Sequence, residues 1–112
     1  MSPQIHGRGW KLDKNAMEGI SSLSDHTFNA YLKLRDSLTS LGFNSEKAIN
    51  FSREVDEMEQ KVDSLFVIVD LNIVTSGVEI PTILIFRDIA REMESLMNKA
   101  REAANHVRLI VH

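Results

Sequence analysis

The feature that most limits what this chain can become is a double apolar row toward its C-terminal end. Phe86, Ile89, Met93, Leu96, Ala100, Ala103, Val107 and Ile110 recur at strictly alternating steps of three and four. That is the repeat of one helical face; a strand, whose faces alternate every second residue, cannot supply it. A second row, Phe86, Ala90, Met93, Met97, Ala100, Ala104, Val107 and Val111, overlaps the first. Together they make a face too wide for one neighbouring helix, so this segment must touch two or more. Pro81-Thr82 gives it an entry signal, and the alanines let another backbone come close, in a bundle interior or a dimer seam.

The spacing predicts two further helices. Asn44-Ser45 forms an N-cap with Glu46 in the first turn, where a negative side chain meets the positive end of the helix dipole. From there Phe51, Val55, Met58, Val62, Leu65 and Val69 make an unbroken seam. The later run LFVIVDLNIV is β-branched and by itself compatible with a strand. The seam enters it with no turn signal before Ser76-Gly77, which predicts helix. Upstream, from about Asn15, Ile20, Leu23, Tyr31, Leu34, Leu38 and Leu41 predict the first helix, closed by Gly42 as a left-handed cap. Gly19 and Ser21-Ser22 are weak helix formers near its start. Residues 1–13, with Pro3, Gly7, Gly9 and Trp10, predict an irregular N-terminal arm; residues 14–112 hold the three helices.

A chain of 112 residues is about one small domain. The expected fold is all-α, an elongated antiparallel three-helix bundle with short turns. Three long rods enclose a thin core, and the apolar surface exceeds what they hide, so self-association is expected. The competing expectation is a curled bundle that buries everything internally. A net charge of −3 argues against affinity built on neutralising nucleic-acid phosphates. No stretch reaches the roughly 18 apolar residues of a membrane span, and the start has no apolar signal core. The absence of cysteine removes disulfides, thiolate metal sites and a thiol nucleophile. The expectation is a soluble, untargeted, cytoplasmic protein.

The sharpest chemical feature is on the second helix, where Asp56, Glu59, Asp63 and Asp70 form a row beside the seam. Like charges one turn apart repel, so something positive is expected opposite. One reading is a hard-cation site in which Glu59 and Asp63 reach one ion and waters complete the oxygen coordination. The other is a solvated acidic face answered by Arg87, Arg91, Lys99 and Arg101 of the third helix. Glu94 and Asn98, also one turn apart, are a partial counterpart there. Glu102 and His106 read as a structural pair, and Asp25-His26 lacks the partners of a reaction centre. Met58, Met93 and Met97 read as core fillers. With no phosphate-binding loop, no Gly-x-Gly-x-x-Gly and no His-Glu-x-x-His, the chain is expected not to be an enzyme.

The segment REVDEMEQKVDSLF, the continuation VIVDLNIV, a short turn and RDIAREMESLMNKAREAANHVRLIV together resemble the repeat of PhoU-like proteins, the PhoU-related phosphate transport regulators. The likeness covers about residues 48–111. It implies a three-helix repeat with two Glu/Asp-x-x-x-Asp motifs that bind metal, and a full protein of two repeats and six helices. Glu59 and Asp63 match the first motif. Glu94 matches the second, with Asn98 where the family has aspartate, and Asn105 also replaces an acid. The implied cofactor is a divalent or trivalent ion (Mg, Mn, Fe or Zn). A homodimer would restore six helices, and the implied partners are a phosphate transporter component or a sensor kinase.

The leading expectation is therefore a non-enzymatic helical regulatory protein linked to phosphate transport or its signalling, with Glu59, Asp63, Glu94 and Asn98 as metal ligands. The alternative is a structural or assembly module with no metal or phosphate role. A carboxylate-bridged oxidase or hydrolase comes last, since no histidine has the spacing it needs.

Overall fold

A computed structural model describes residues 14–111, so the expected irregular arm over residues 1–13 lies outside the described residues. Those described form three helices, α1 (Lys14–Ser40), α2 (Ser45–Val74) and α3 (Ile80–Val111), with no strand among them. They pack side by side in a rod of 60 × 22 × 18 Å, with α2 in broad contact with both others and α1 and α3 touching least. The β-branched run of α2 is helical to Val74, because Val69 and Ile73 continue the buried seam one turn apart while Val67 and Val74 face outward. Val55, Val62 and Val69, seven residues apart, are fully buried.

Local chemistry sets the ends. Asn44 is extended (φ −151°), and its side chain accepts a hydrogen bond from the Lys47 amide at 3.0 Å, as a Ser-Thr-Asp-Asn cap does. The Thr75 amide and hydroxyl both donate to the Leu71 carbonyl, at 3.0 and 2.8 Å, and close α2. Gly77 then turns the chain at φ 81°, a conformation that other residues rarely adopt. The expected left-handed cap at Gly42 is not formed, because Gly77 alone among the described residues has positive φ. Instead the amides of Phe43 and Asn44 both donate to the Ser40 carbonyl, at 3.1 and 2.8 Å, which ends α1 without a left-handed residue. The Ser37 hydroxyl, buried at the same end, donates to the Ala48 carbonyl at 2.7 Å and ties α1 to the first turn of α2.

The core is narrow. Its largest fully buried side chains are Leu23, Ile73 and Met97, and small residues fill much of the rest: Ala16, Ala30, Ala48, Ala90, Ala100 and Ala104. Met58 and Met93 pack against this centre beside Met97, as expected of core fillers. The wide face of α3 divides. Ala90, Met97 and Ala104 are buried, whereas Leu96 and Ile110 of the other row stand exposed.

The helix α1 comes close against α2 at Gly19, where an added Cβ would stand 2.8 Å from Val69 Cγ2. Alanine is the better helix former by about 1 kcal/mol, but overpacking costs about 1–3 kcal/mol, and Val69 is held on all sides. Gly19→Ala should therefore lower the unfolding free energy by about 1 kcal/mol in denaturant titration. Gly42→Ala, which meets nothing within 4 Å, should not lower it.

Candidate carboxylate site

The α2–α3 seam is a ladder of charge. On α2, Asp56, Asp63 and Asp70 are seven residues apart and so share one edge of the helix; on α3, Arg87, Glu94, Arg101 and Arg108 do the same. The helices run antiparallel, so the ladder closes from both ends. At one end Arg87 grips Asp70 with two bonds, Nε to Oδ1 at 2.8 Å and Nη2 to Oδ2 at 3.2 Å. This bidentate geometry holds the Arg87 guanidinium still more firmly protonated than usual. At the other end Arg108 Nη2 lies 2.8 Å from Asp56 Oδ2, while its Nη1 donates to the Ser52 hydroxyl at 3.1 Å. The second oxygen of Asp56 is buried without a hydrogen-bond partner among the described residues.

The middle rungs differ. Arg101 acts on Glu59, but at the remaining level an acid of α3, Glu94, faces Asp63. Glu59 is only 8% exposed, and its carboxyl and that of Asp63 are within hydrogen-bonding reach; Asp63 is likewise within reach of Glu94. Burial first, then the Asp63 carboxyl, raises the pKa of both Glu59 and Glu94, and Arg101 offsets the rise at Glu59 only in part. Three acids from two helices thus share too little positive charge. They can meet that shortage with a proton or with a bound cation.

The expected residues are placed unequally. Glu59, Asp63 and Glu94 come together. Asn98 is half-buried one turn beyond Glu94, and no hydrogen bond ties it to the three acids. Among the described residues no group of three or more His, Cys, Asp or Glu side chains is placed so that it could hold a metal ion. The donor set is nonetheless all oxygen and suits a hard ion whose shell is completed by water. Of the cations expected to answer the acidic row, Arg87 does so, Arg101 contributes, and Arg91 instead lies 3.9 Å from Asp88 of its own helix. Lys99 is exposed and makes no ion pair with a described residue. Glu102 and His106 are both exposed and do not bond to each other, so that expected pair is not formed. His26 donates from Nδ1 to the Ser22 carbonyl at 2.7 Å, a local helix contact. Arg108 is the partner that sequence reasoning missed; its signal was the seven-residue row it shares with Arg87 and Arg101.

Two outcomes follow from the acid-on-acid rung. Folding raises the proton affinity of Glu59 and Glu94, so in chelator-treated protein their contribution to stability grows as pH falls through the raised values and levels off below the ordinary value of 4.5. The melting temperature should rise from about pH 7 toward about pH 5, and Glu59→Gln with Glu94→Gln should flatten that rise. Glu94→Arg, which completes the ladder, should stabilise the metal-free protein by up to about 1 kcal/mol in the same melts.

In comparisons with known proteins, the chain matches no family model, no curated protein and no solved structure.

Proposed function

We propose that this protein is a non-enzymatic helical regulator that self-associates and binds a divalent or trivalent cation at Glu59, Asp63 and Glu94. The observation that carries this reading is the one rung of the α2–α3 ladder where Glu94 stands in a row of arginines and faces Asp63. A carboxylate placed there costs the bundle stability unless a cation neutralises it, and an ion bridging α2 to α3 would do for this rung what Arg87 and Arg108 do for theirs. Asn98 contributes at most a neutral oxygen from the next turn. The resemblance to PhoU-like repeats implies the same three carboxylates and, with them, a role in phosphate transport or its signalling, with a transporter component or sensor kinase as partner.

A second reading has its own observation. Large apolar side chains on the outside of the rod, among them Phe28, Leu71 and Ile110, suit a structural or assembly module that needs no ion. The two readings separate by titration. Metal-free protein supplied in turn with Mg²⁺, Mn²⁺, Fe²⁺, Fe³⁺ and Zn²⁺ should bind about one ion per chain by calorimetry and elemental analysis. Glu59→Ala with Asp63→Ala should abolish binding while leaving helicity by circular dichroism unchanged. Absence of bound metal at millimolar supply would overturn the cation site and leave the assembly module standing. Copurification of a phosphate transporter component with the tagged protein would support the regulatory link.

A further inference from the structure

The α1–α3 side of the rod is where the three helices fail to close. Phe28 and Leu38 of α1 are 64% and 50% exposed, and Ile85, Leu96 and Ile110 of α3 are 59%, 46% and 70% exposed. The Tyr31 hydroxyl donates across this side to the Leu96 carbonyl at 2.9 Å. An open cavity of about 320 Å³ lies beside it, lined by Ser24, Thr27, Phe28, Tyr31, Met93 and Leu96. On α1, Ser24, Phe28, Tyr31 and Leu38 step by four, three and seven, and on α3, Ile85, Ile89, Leu96, Ala103 and Ile110 step by four and then by seven, so each helix presents one strip rather than scattered patches.

We infer that this strip is the surface through which two copies of the chain pair, α3 against α3 in antiparallel register about a two-fold axis at Leu96. The inference rests on the self-association reading above and does not depend on the cation. Area is the first argument. These five side chains and Tyr31 leave on the order of 600 Å² open, the upper limit for a typical monomer patch, and half-buried Ile89, Met93 and Ala103 bring the strip close to the roughly 800 Å² that each partner contributes to a specific interface. Charge is the second. Glu92 and Lys99, seven residues apart on the rim of the strip, are both exposed, and neither makes an ion pair with a described residue. Glu92 lies four positions before Leu96 and Lys99 three after it, so an antiparallel copy sets each glutamate against the partner's lysine, twice over. The same operation sets Ile89 against the partner's Ala103, large against small. A lipid surface is the poorer occupant, since the rim mixes Arg35, Glu92 and Lys99 and has no basic cluster to meet anionic headgroups.

The chain has no cysteine, which makes a direct test simple. Leu96→Cys should form a covalent dimer under mild oxidation, because a two-fold axis at this position brings both sulfurs together. By sedimentation, the unmodified protein should dimerise, and Leu96→Arg should be monomeric with unchanged helicity. Glu92→Lys or Lys99→Glu alone should weaken pairing about tenfold, and the two together should restore it. An unmodified protein that stays monomeric overturns both this inference and the self-association reading. A dimer that survives Leu96→Arg overturns only the placement of the interface. Failure of the double charge reversal to recover pairing overturns the antiparallel register.

Discussion

The register of α2 against α3 depends on a ladder of charge with one discordant rung. Arg108 on Asp56 and Arg87 on Asp70 fix the two ends, each at 2.8 Å, and with helices as stiff as these that determines what meets in between. The apolar seam alone would tolerate a slide by a heptad, because Val55, Val62 and Val69 look alike to α3. The two guanidinium pairs remove that freedom, which is the best-attested use of partly buried ion pairs. The level at which Glu94 meets Asp63 is therefore set by the pairs at the two ends of the ladder. A positive charge or a proton at this rung relieves the repulsion that the register imposes.

The same stiffness explains the unclosed side. Three rods of 27, 30 and 32 residues can each meet two neighbours only if their contact faces are small, and the chain achieves this with alanine, glycine and serine at the tightest positions. Gly19 lets α1 lie against Val69, and Ser37 and Ser52 take the place of larger apolar groups near the α1–α2 turn. Close packing on the two sides of α2 draws α1 and α3 toward it, and their mutual side is spanned by half-exposed Tyr31, Met93 and Leu96. The excess width of α3 is then turned outward along that side.

Much of this was legible in the sequence because helical periodicity is a local property. The alternating three-four steps located α3, the seam of α2 carried its valine-rich half into a helix against intrinsic β preference, and Asn44 capped it. What escaped was non-local or depended on backbone geometry. Gly42 followed the last apolar residue of α1 as a cap glycine should, yet the chain closed through bonds to the Ser40 carbonyl. The acidic row of α2 was visible, but which base answered which acid depended on the antiparallel register, so Arg108 was overlooked while Arg91 and Lys99 were credited. In the sequence Glu94 stands out by its one-turn spacing to Asn98; its more telling property, an acid in a row of arginines, depends on the register of α3 against α2.

The two candidate surfaces lie on opposite flanks of one helix. Glu94 faces α2 and Leu96, two residues later and about 160° around the axis, borders the groove with α1. The helix is gripped by arginine at both ends of the α2 seam, while its contact with α1 is the loosest in the bundle. One flank of α3 is thus held by charge, through Arg87 on Asp70 and Arg108 on Asp56, while the other is left apolar and exposed at Ile85, Leu96 and Ile110.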